Sequence, residues 1–333
     1  MRAMQLRQPT PVSEEPLAAT EVELPRPGPH QVRLKIHTCG ICHTDLHIVE
    51  GDLELPRLPI IPGHQIVGIV EAAGEGATRH RIGDRLGVPW LHETCGQCRY
   101  CRADKENLCE NIRFTGLHAN GGFTEYVVVG EKFAYPIPDI FSDVEAAPLL
   151  CAGIVGYRSL RLSQVQPGQR LGLYGFGASA HLIIQVARHW KCEVFVFTRS
   201  EEHRKLARSL GAVWTGGAED DPGALMDSSI IFAPAGWLVP AALRCLDRGG
   251  TLALGGIHMS PIPEMAYDLL WHERTIRSVA NSTRQDALDF LEVAAEIPVK
   301  TETETFSLDQ ANEALLRLKR SEINGAGVLQ ISE

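Results

Sequence analysis

Apolar and polar residues alternate in the amino-terminal part of the chain, between turns rich in proline and glycine. In residues 31–36 every second position is valine, leucine or isoleucine, and the turn 25–29 contains three prolines. A two-residue period is typical of short antiparallel strands with one buried face. The pattern therefore predicts a mostly β domain at residues 1–152.

The pattern changes to alternating strands and helices after Val165. Apolar runs typical of buried strands cover residues 170–174, 193–197, 228–233 and 251–255. Helical patterns cover residues 181–191 and 240–246, and a glycine turn is expected at 248–250. Repeated β-α units of this kind predict a doubly wound parallel sheet, the Rossmann fold, at residues 153–286. We expect residues 287–333 to return to the first domain.

Length and composition describe an ordinary globular protein of about two domains. The chain has 333 residues, 44% apolar and 22% charged, with a net charge of −9. The negative charge argues against a nucleic-acid partner. Residues 1–15 have no continuous apolar segment and no run approaches transmembrane length, so we expect a cytoplasmic protein without membrane contact. Nine cysteines cannot all pair, which favours metal binding in a reducing compartment.

Four cysteines lie within fifteen residues and contain two consecutive C-x-x-C steps: Cys95, Cys98, Cys101 and Cys109. This spacing can wrap one tetrahedral metal ion, and four thiolates leave no open coordination position. Two local disulfides are the alternative, but no secretory signal supports them. The sequence therefore predicts a structural zinc site.

A second group of chemically active side chains lies in residues 38–47. Besides Thr38, it contains two thiols, two imidazoles, a hydroxyl and a carboxylate: Cys39, Cys42, His43, His47, Thr44 and Asp45. These residue types suit zinc and its supporting hydrogen bonds. The same stretch also fits C-x-x-C-H haem attachment or thiol exchange. Taken alone, His64 and Cys151 would be interpreted as core residues.

A glycine turn follows the first strand of the α/β region. Gly175, Gly177 and Ala180 form G-x-G-x-x-A between a predicted strand and a predicted helix. The first glycine permits the tight bend, the second allows close approach of a pyrophosphate, and the alanine allows close helix packing. The motif in this setting predicts a dinucleotide site.

The end of the second strand determines which nicotinamide cofactor is preferred. An acidic residue there binds the adenosine ribose of NAD. This chain instead has Thr198, Arg199 and Ser200, with Arg204 one helical turn later. An arginine with two hydroxyls suits a 2′-phosphate, so we expect NADP(H) in preference to NAD(H). The alternative is that Arg199 is a solvated surface charge.

Taken together, these motifs resemble the zinc-dependent alcohol dehydrogenases of the medium-chain dehydrogenase/reductase superfamily. The resemblance rests on residues 40–47, Gly63 with His64, the four-cysteine loop, residues 150–154 and the glycine turn. It implies a Rossmann domain inserted in a GroES-like catalytic domain. It also implies two zinc ions per chain, and an alcohol or aldehyde substrate.

The resemblance assigns roles to individual residues. It implies a catalytic zinc on Cys42, His64 and Cys151, with the fourth position open, and makes Cys39 a non-ligand. Thr44 would bind the substrate oxygen, His47 would continue a proton relay, and Asp45 would orient the zinc ligands. His43 would meet the cofactor pyrophosphate. The pocket wall would include Trp90, Leu53 and His92.

The resemblance leaves three points to be tested. Gln65 follows His64 where the family has glutamate, which suggests altered ligand exchange at the metal. A zinc-free NADPH quinone reductase on the same fold, or a non-enzymatic zinc and nucleotide binding protein, is the alternative function. Relatives assemble as homodimers or homotetramers, and we expect a homotetramer.

Overall fold

The computed structural model describes residues 1–323 and 325–332, which divide into two compact units. The first unit contains residues 1–151, 283–291 and the chain from 300 onwards. The second unit contains residues 152–282 and 292–299.

The first unit is mostly β. Its strands up to residue 151 are β1 (Arg2–Leu6), β2 (Leu17–Glu21), β3 (Gln31–Ile41), β4 (Gln65–Ala73), β5 (Arg85–Val88), β6 (Leu91–Glu93), β7 (Arg113–Phe114), β8 (Tyr126–Gly130) and β9 (Tyr135–Pro136). Its helices in that range are α1 (His43–Glu50) and α2 (Asp143–Ala146).

The second unit alternates helices and strands. In order these are α3 (Ala152–Leu162), β10 (Arg170–Tyr174), α4 (Ala178–His189), β11 (Glu193–Phe197), α5 (Glu201–Ser209), β12 (Trp214–Gly216), β13 (Met226–Ile231), α6 (Leu238–Arg244), β14 (Leu246–Leu254) and β15 (Thr275–Ser278). The chain ends with α7 (Arg284–Glu296), β16 (Thr303–Ser307), α8 (Ala311–Lys319) and β17 (Ala326–Gln330).

Strand β3 is central to the sheet of the first unit. The sheet order is β16-β17-β3-β4-β5-β9, and β8 also pairs with β3. Val32, Leu34 and Ile36 are fully buried in the hydrophobic core, as their alternation predicts. The strand continues to Ile41, so it leads directly to the residues that open α1.

The sheet of the second unit has six parallel strands in the order β12-β11-β10-β13-β14-β15. Consecutive strands run outward from β10 on one side and from β13 on the other, so the switch point lies between these two strands. The mixed fold class, a β domain with a doubly wound α/β domain, is thereby confirmed. None of the described helices combines the length and apolar character that a membrane crossing needs.

One expected turn is wrong. Residues 248–250 lie inside β14, which begins at Leu246 directly after α6. The pairing of β13 with β14 shifts register between Met226 and Ser228, and Gly249 has φ +70°. The glycines therefore form an irregularity within a strand rather than the turn before it.

Candidate metal centres and cofactor site

Three predicted ligands that are distant in sequence lie together in the first unit: Cys42, His64 and Cys151. Cys42 Sγ is 3.3 Å from His64 Nε2 and 4.0 Å from Cys151 Sγ. His64 Nε2 is 3.3 Å from Cys151 Sγ. A zinc ion with bonds of about 2.3 Å to sulfur and 2.0 Å to nitrogen would hold its donors roughly 3.5–3.8 Å apart. The donor set therefore fits three positions of one tetrahedral ion.

Local structure positions each of these side chains. Cys42 is the N-cap of α1, and its Sγ accepts a hydrogen bond of 3.3 Å from the backbone N–H of Thr44. A helix N-terminus of this kind favours a thiolate. Gly63 has φ +98°, and a Cβ there would lie 2.5 Å from Phe123, so glycine is required just before His64. Cys151 separates a short 3₁₀ turn from α3.

Asp45 joins the two sides of this three-residue cluster. Its Oδ1 accepts hydrogen bonds from His64 Nδ1 at 3.0 Å and from the Gly63 N–H at 3.1 Å. Its Oδ2 accepts from the Cys42 N–H at 3.0 Å. Both His64 and Asp45 are fully buried. Because the carboxylate accepts the Nδ1 proton, Nε2 carries the lone pair that a metal needs.

The charges in this cluster depend on one another. A hydrogen bond from Cys151 lowers the pKa of Cys42, against the effect of burial. The same contact, together with burial, raises the pKa of Cys151. Burial alone would lower the pKa of His64, but the charges of Asp45 and Cys42 raise it to about 10. Metal binding here must displace protons, so it is linked to proton release.

The predicted relay residues follow on α1. Thr44 is buried, and His43 is exposed one position earlier. His47 is mostly buried, and its Nδ1 lies 2.8 Å from Oδ2 of Asp52. The sequence analysis missed Asp52, because a carboxylate that follows a helix-ending glycine leaves no periodic signal.

The predicted pocket residues also lie in the first unit. The ring of Trp90 meets His64 edge-on at 4.7 Å and stacks on Phe114 at 4.8 Å. Leu53 is partly buried against the core of this unit. Burial lowers the pKa of His92 to about 4, so its ring is neutral at physiological pH. Among these three, Trp90 is the one whose ring contacts a predicted zinc ligand in the described residues.

Cys39 differs from the other cysteine of its C-x-x-C step. Its side chain is fully buried, and burial raises the pKa of the thiol well above its ordinary value. It lies outside the set of ligand atoms formed by Cys42, His64 and Cys151. A buried, protonated thiol is unsuited to thiol exchange or haem attachment.

The four cysteines of the loop between β6 and β7 form a second cluster. Cys109 Sγ is 3.5 Å from Cys95 Sγ, Cys98 Sγ is 3.6 Å from Cys101 Sγ, and Cys95 Sγ is 4.0 Å from Cys101 Sγ. Sulfurs around one tetrahedral zinc lie about 3.8 Å apart. Backbone N–H groups of Cys101 and Glu110 lower the pKa of Cys98 to about 6, which favours the thiolate. The loop can therefore hold one zinc ion.

Glu106, within that loop, connects it to the start of α7. Its carboxylate accepts hydrogen bonds from the Arg284 backbone N–H at 2.8 Å, from Nε at 2.9 Å and from Nη2 at 2.7 Å. The Arg284 guanidinium also lies 5.1 Å from the ring centre of Phe133. The sequence analysis missed this pair because its members are 178 residues apart.

The glycine turn of the second unit has the geometry that its motif predicts. Gly175 has φ +87°, which favours glycine. Gly177 is the N-cap of α4, and a Cβ at this position would meet no atom within 4 Å. Ala180 is fully buried where α4 packs. The helix N-terminus beside Gly177 is therefore open to a phosphate group.

The four predicted cofactor-selecting residues lie just after β11. Thr198 is buried, whereas Arg199 is exposed. Ser200 is the N-cap of α5 and accepts a hydrogen bond from the His203 N–H at 3.3 Å. Arg204 Nε donates to the Thr198 carbonyl at 2.9 Å, so part of its hydrogen-bonding capacity is used by the backbone.

Two family models match the chain. The alcohol dehydrogenase GroES-like domain matches residues 28–139, and the zinc-binding dehydrogenase domain matches residues 180–296. The chain is 47% identical to the probable alcohol dehydrogenase AdhA of Mycobacterium tuberculosis, over 99% of this chain and 97% of that protein. It is 35% identical to an alcohol dehydrogenase of Geobacillus stearothermophilus, over 95% and 96% of the two chains.

A solved structure of an alcohol dehydrogenase matches the fold of this chain over nearly its whole length. A cinnamyl alcohol dehydrogenase of Sorghum bicolor superposes with a TM-score of 0.90 at 27% identity, covering 99% of this chain and 97% of that chain.

Proposed function

The chain belongs to the zinc-binding alcohol dehydrogenases of the medium-chain dehydrogenase/reductase superfamily, and we propose that it interconverts primary or small secondary alcohols and their carbonyl compounds with NADP(H). It is an oxidoreductase that uses zinc and a nicotinamide cofactor. The convergence of Cys42, His64 and Cys151 carries the proposal, because three ligands leave one position for a substrate oxygen.

We assign two zinc ions per chain to the two clusters. Cys42, His64 and Cys151 would hold the catalytic ion, and the four cysteines of the loop would hold the structural one. Zinc bound to the three-residue cluster supplies Lewis-acid polarisation of a carbonyl or hydroxyl oxygen. Asp45 keeps His64 in the tautomer that can bind metal, and Trp90 packs against the same ring.

The remaining residues of α1 would manage the proton. In alcohol oxidation the hydroxyl proton must leave as hydride passes to the nicotinamide. Thr44 would accept a hydrogen bond from the substrate hydroxyl group and donate its own proton towards His47. General acid–base assistance of this kind contributes about 10²–10⁴ in rate. His43 would contact the cofactor pyrophosphate.

The preference for NADP(H) rests on the residues after β11. No carboxylate occupies positions 198–200, and the side chain of Arg199 is exposed. Arg199 would therefore be accessible to the 2′-phosphate of NADP(H). Thr198, Ser200 and Arg204 would complete the phosphate site, while Gly175, Gly177 and Ala180 would admit the pyrophosphate. A charge-assisted hydrogen bond from arginine is worth about 1.5–3 kcal/mol.

A cofactor-paired screen over alcohols and aldehydes tests both the activity and the preference. We expect kcat/KM with NADP(H) to exceed that with NAD(H), and Arg199→Asp to lower the ratio by roughly 10–100-fold. Lys205→Asp is the matched control, because it makes the same charge change at an exposed position of α5. Preference for NAD in the unmodified protein would contradict the cofactor assignment, and absence of any alcohol or aldehyde turnover would contradict the function.

The zinc-free quinone reductase is the second candidate, and the complete ligand set disfavours it. Such an enzyme has no need of two thiols and an imidazole held within 4.8 Å of one another. Quinone reduction that survives zinc removal would favour this alternative.

We also propose a cytoplasmic homotetramer. Nine cysteines without a disulfide suit a reducing compartment. Strand β15 ends the sheet of the second unit, and large apolar side chains are exposed just before it: Ile257, Ile262, Tyr267 and Trp271. An apolar surface beside a sheet edge favours association. Light scattering on the purified protein distinguishes a tetramer from a dimer or a monomer.

A further inference from the structure

Glu106 contacts the loop cluster through its main chain and α7 through its side chain. Its carbonyl accepts a hydrogen bond of 3.0 Å from the N–H of Cys109, at the end of the short 3₁₀ turn Glu106–Leu108. Cys109 is buried, and its Sγ lies 3.5 Å from that of Cys95. The position of Glu106 therefore determines the position of one of the four predicted ligands.

The side chain of Glu106 is held from outside the loop by Arg284, the first residue of α7. The carboxylate accepts hydrogen bonds from the N–H, Nε and Nη2 of Arg284. The N–H of a first helical residue has no acceptor inside its own helix, so Glu106 supplies the one that α7 lacks. The N–H of Asp286 is satisfied within the turn, by the Thr283 hydroxyl at 3.2 Å. The first turn of α7 therefore depends on a residue of the loop.

Arg284 is itself fixed by its surroundings. Its guanidinium lies 5.1 Å from the ring centre of the buried Phe133. Hydrogen bonding to Glu106 raises the pKa of Arg284 against the effect of burial, and the negative charge of Cys101 adds to the rise. A cation beside this cluster is favourable, because four thiolates around one divalent ion leave a surplus negative charge.

A second ion pair of this region is much more exposed. The side chains of Arg113 and Glu93 are 48% and 54% exposed, whereas those of Arg284 and Glu106 are 37% and 10% exposed. Water screens the charges of an exposed pair, which then contributes little. A mostly buried carboxylate that accepts several charge-assisted hydrogen bonds holds its partner more strongly.

We propose that Glu106 and Arg284 are positioning residues for the metal of the loop cluster, and that metal binding in the loop in turn orders the first turn of α7. Arg284 acts through Glu106, whose main chain holds Cys109. Because coupling between two sites is reciprocal, weakening the pair should speed metal loss, and metal loss should loosen α7. The inference rests on the proposed zinc ion of the loop.

The first test follows loss of the loop metal from the zinc-loaded enzyme. A chelator and an alkylating reagent are added together, and mass spectrometry follows the alkylation of Cys98, which bound zinc protects. We expect Arg284→Gln and Glu106→Gln to raise this rate roughly tenfold, because partners that hold metal ligands contribute about 10–100-fold in metal affinity. Arg284→Lys keeps the charge without the planar fork, so it should recover part of the protection.

Arg317→Gln is the matched control. Arg317 pairs with Glu304 through Nη1 and Nη2 and lies 5.3 Å from the ring centre of Phe306, so this variant removes an equivalent contact elsewhere in the first unit. We expect its rate of Cys98 alkylation to equal that of the unmodified protein. An unchanged rate in Arg284→Gln, or the same acceleration in Arg317→Gln, overturns the inference.

Amide hydrogen exchange tests the coupling in the reverse direction. Residues 284–287 should exchange roughly tenfold faster in Glu106→Gln and in Cys98→Ser, which lacks a ligand of the loop metal, but not in Arg317→Gln. Unchanged exchange in Cys98→Ser would show that the metal does not order α7.

The unmodified protein distinguishes this inference from the proposal on which it rests. If its Cys98 is alkylated equally fast with and without chelator, and it binds one zinc ion per chain, the proposed loop zinc is wrong and the inference falls with it. If chelator is needed for alkylation but the Arg284 and Glu106 variants react at the unmodified rate, the loop zinc stands and the positioning role is wrong.

Discussion

The two cysteine clusters of the first unit differ in how the chain assembles them. The loop cluster draws its sulfurs from residues 95–109, so spacing alone brings them together. The other cluster joins Cys42 to His64 across 22 residues and His64 to Cys151 across 87. The two clusters also differ in their contacts with the rest of the protein. The buried Asp45 hydrogen-bonds His64 of the dispersed cluster, whereas the Glu106–Arg284 pair connects the loop cluster to α7. The loop cluster therefore depends on one short segment, whereas the Cys42–His64–Cys151 cluster depends on the folding of residues 1–151 together.

Similar ligands can support two different functions, catalysis at one metal site and stability at another. Four thiolates close a coordination shell, while two thiolates and an imidazole leave a vacancy. We therefore expect loss of a ligand from the Cys42–His64–Cys151 cluster to lower activity. Loss of a cysteine from the loop cluster should instead lower the free energy of unfolding. The following variants test this difference between the two clusters.

The largest effect is expected from Cys42→Ser. Losing a ligand of the catalytic ion should lower kcat/KM by about 10⁴ or more, because Lewis-acid assistance is worth several kcal/mol. Steady-state kinetics and the thermal midpoint should be measured together. Cys245→Ser is the control, since this cysteine lies in the second unit outside both clusters. Activity in Cys42→Ser close to that of the unmodified enzyme would refute the catalytic assignment.

Cys98→Ser should have the converse effect. Loss of a structural metal destabilises by about 4 kcal/mol or more, because the loop between β6 and β7 loses the ion that shapes it. Chemical denaturation should report this change. At 25 °C the kcat of the folded fraction should stay within about threefold of the unmodified value. A loss of kcat well beyond threefold, with an unchanged free energy of unfolding, would contradict our assignment of the two clusters.

Asp45→Asn should weaken the catalytic cluster without removing a ligand. An amide has one acceptor oxygen, so it can keep the bonds from His64 and the Gly63 N–H only with its NH2 group facing the Cys42 N–H, and it supports the His64 ring without a negative charge. Partners of metal-binding histidines typically contribute about 10–100-fold in metal affinity. Competition with a chelator measures this change. Zinc retention equal to that of the unmodified protein would show that the Asp45 carboxylate is dispensable.

Glu106→Gln should weaken the attachment of the loop cluster to α7. The hydrogen bonds to Arg284 lose their charge assistance, so we expect the free energy of unfolding to fall by about 2 kcal/mol. Glu110→Gln is the control, because Glu110 is an exposed acid in the same region. Equal stability of the two variants would contradict the proposed attachment.

The smallest effect is expected from Gln65→Glu. Gln65 is buried, and its Nε2 has no hydrogen-bond partner among the described residues. A carboxylate beside His64 would make the metal less electrophilic, so kcat should change by roughly threefold to tenfold. Pre-steady-state kinetics would separate hydride transfer from product release. Unchanged kinetics would show that the neutral amide has no catalytic consequence.

Much of the fold could be predicted from periodicity. The alternation in β3 and the β-α units of the second unit follow from burial of one or both faces of a strand. The continuation of β3 to Ile41 was not predictable, because residues 39–41 are buried without alternation. The glycines at 249 and 250 were misinterpreted because an irregular strand and a turn use the same residues.

Some residues of the candidate site could be predicted from spacing alone, and others could not. The loop cluster follows from cysteine spacing, and the glycine turn follows from its strand and helix context. His64 and Cys151 could be connected to Cys42 only through the family resemblance. Asp52 and the Glu106–Arg284 pair required the structure, because helix termination and long-range pairing leave no periodic signal.

Zinc content and zinc coordination, measured together on the purified protein, test the central claim most directly. Elemental analysis with X-ray absorption should give two zinc ions per chain and an average of about three sulfur ligands per ion. In Cys42→Ser one ion should remain, with four sulfur ligands. One zinc ion per chain in the unmodified protein, or sulfur as the only ligand type, would contradict the account.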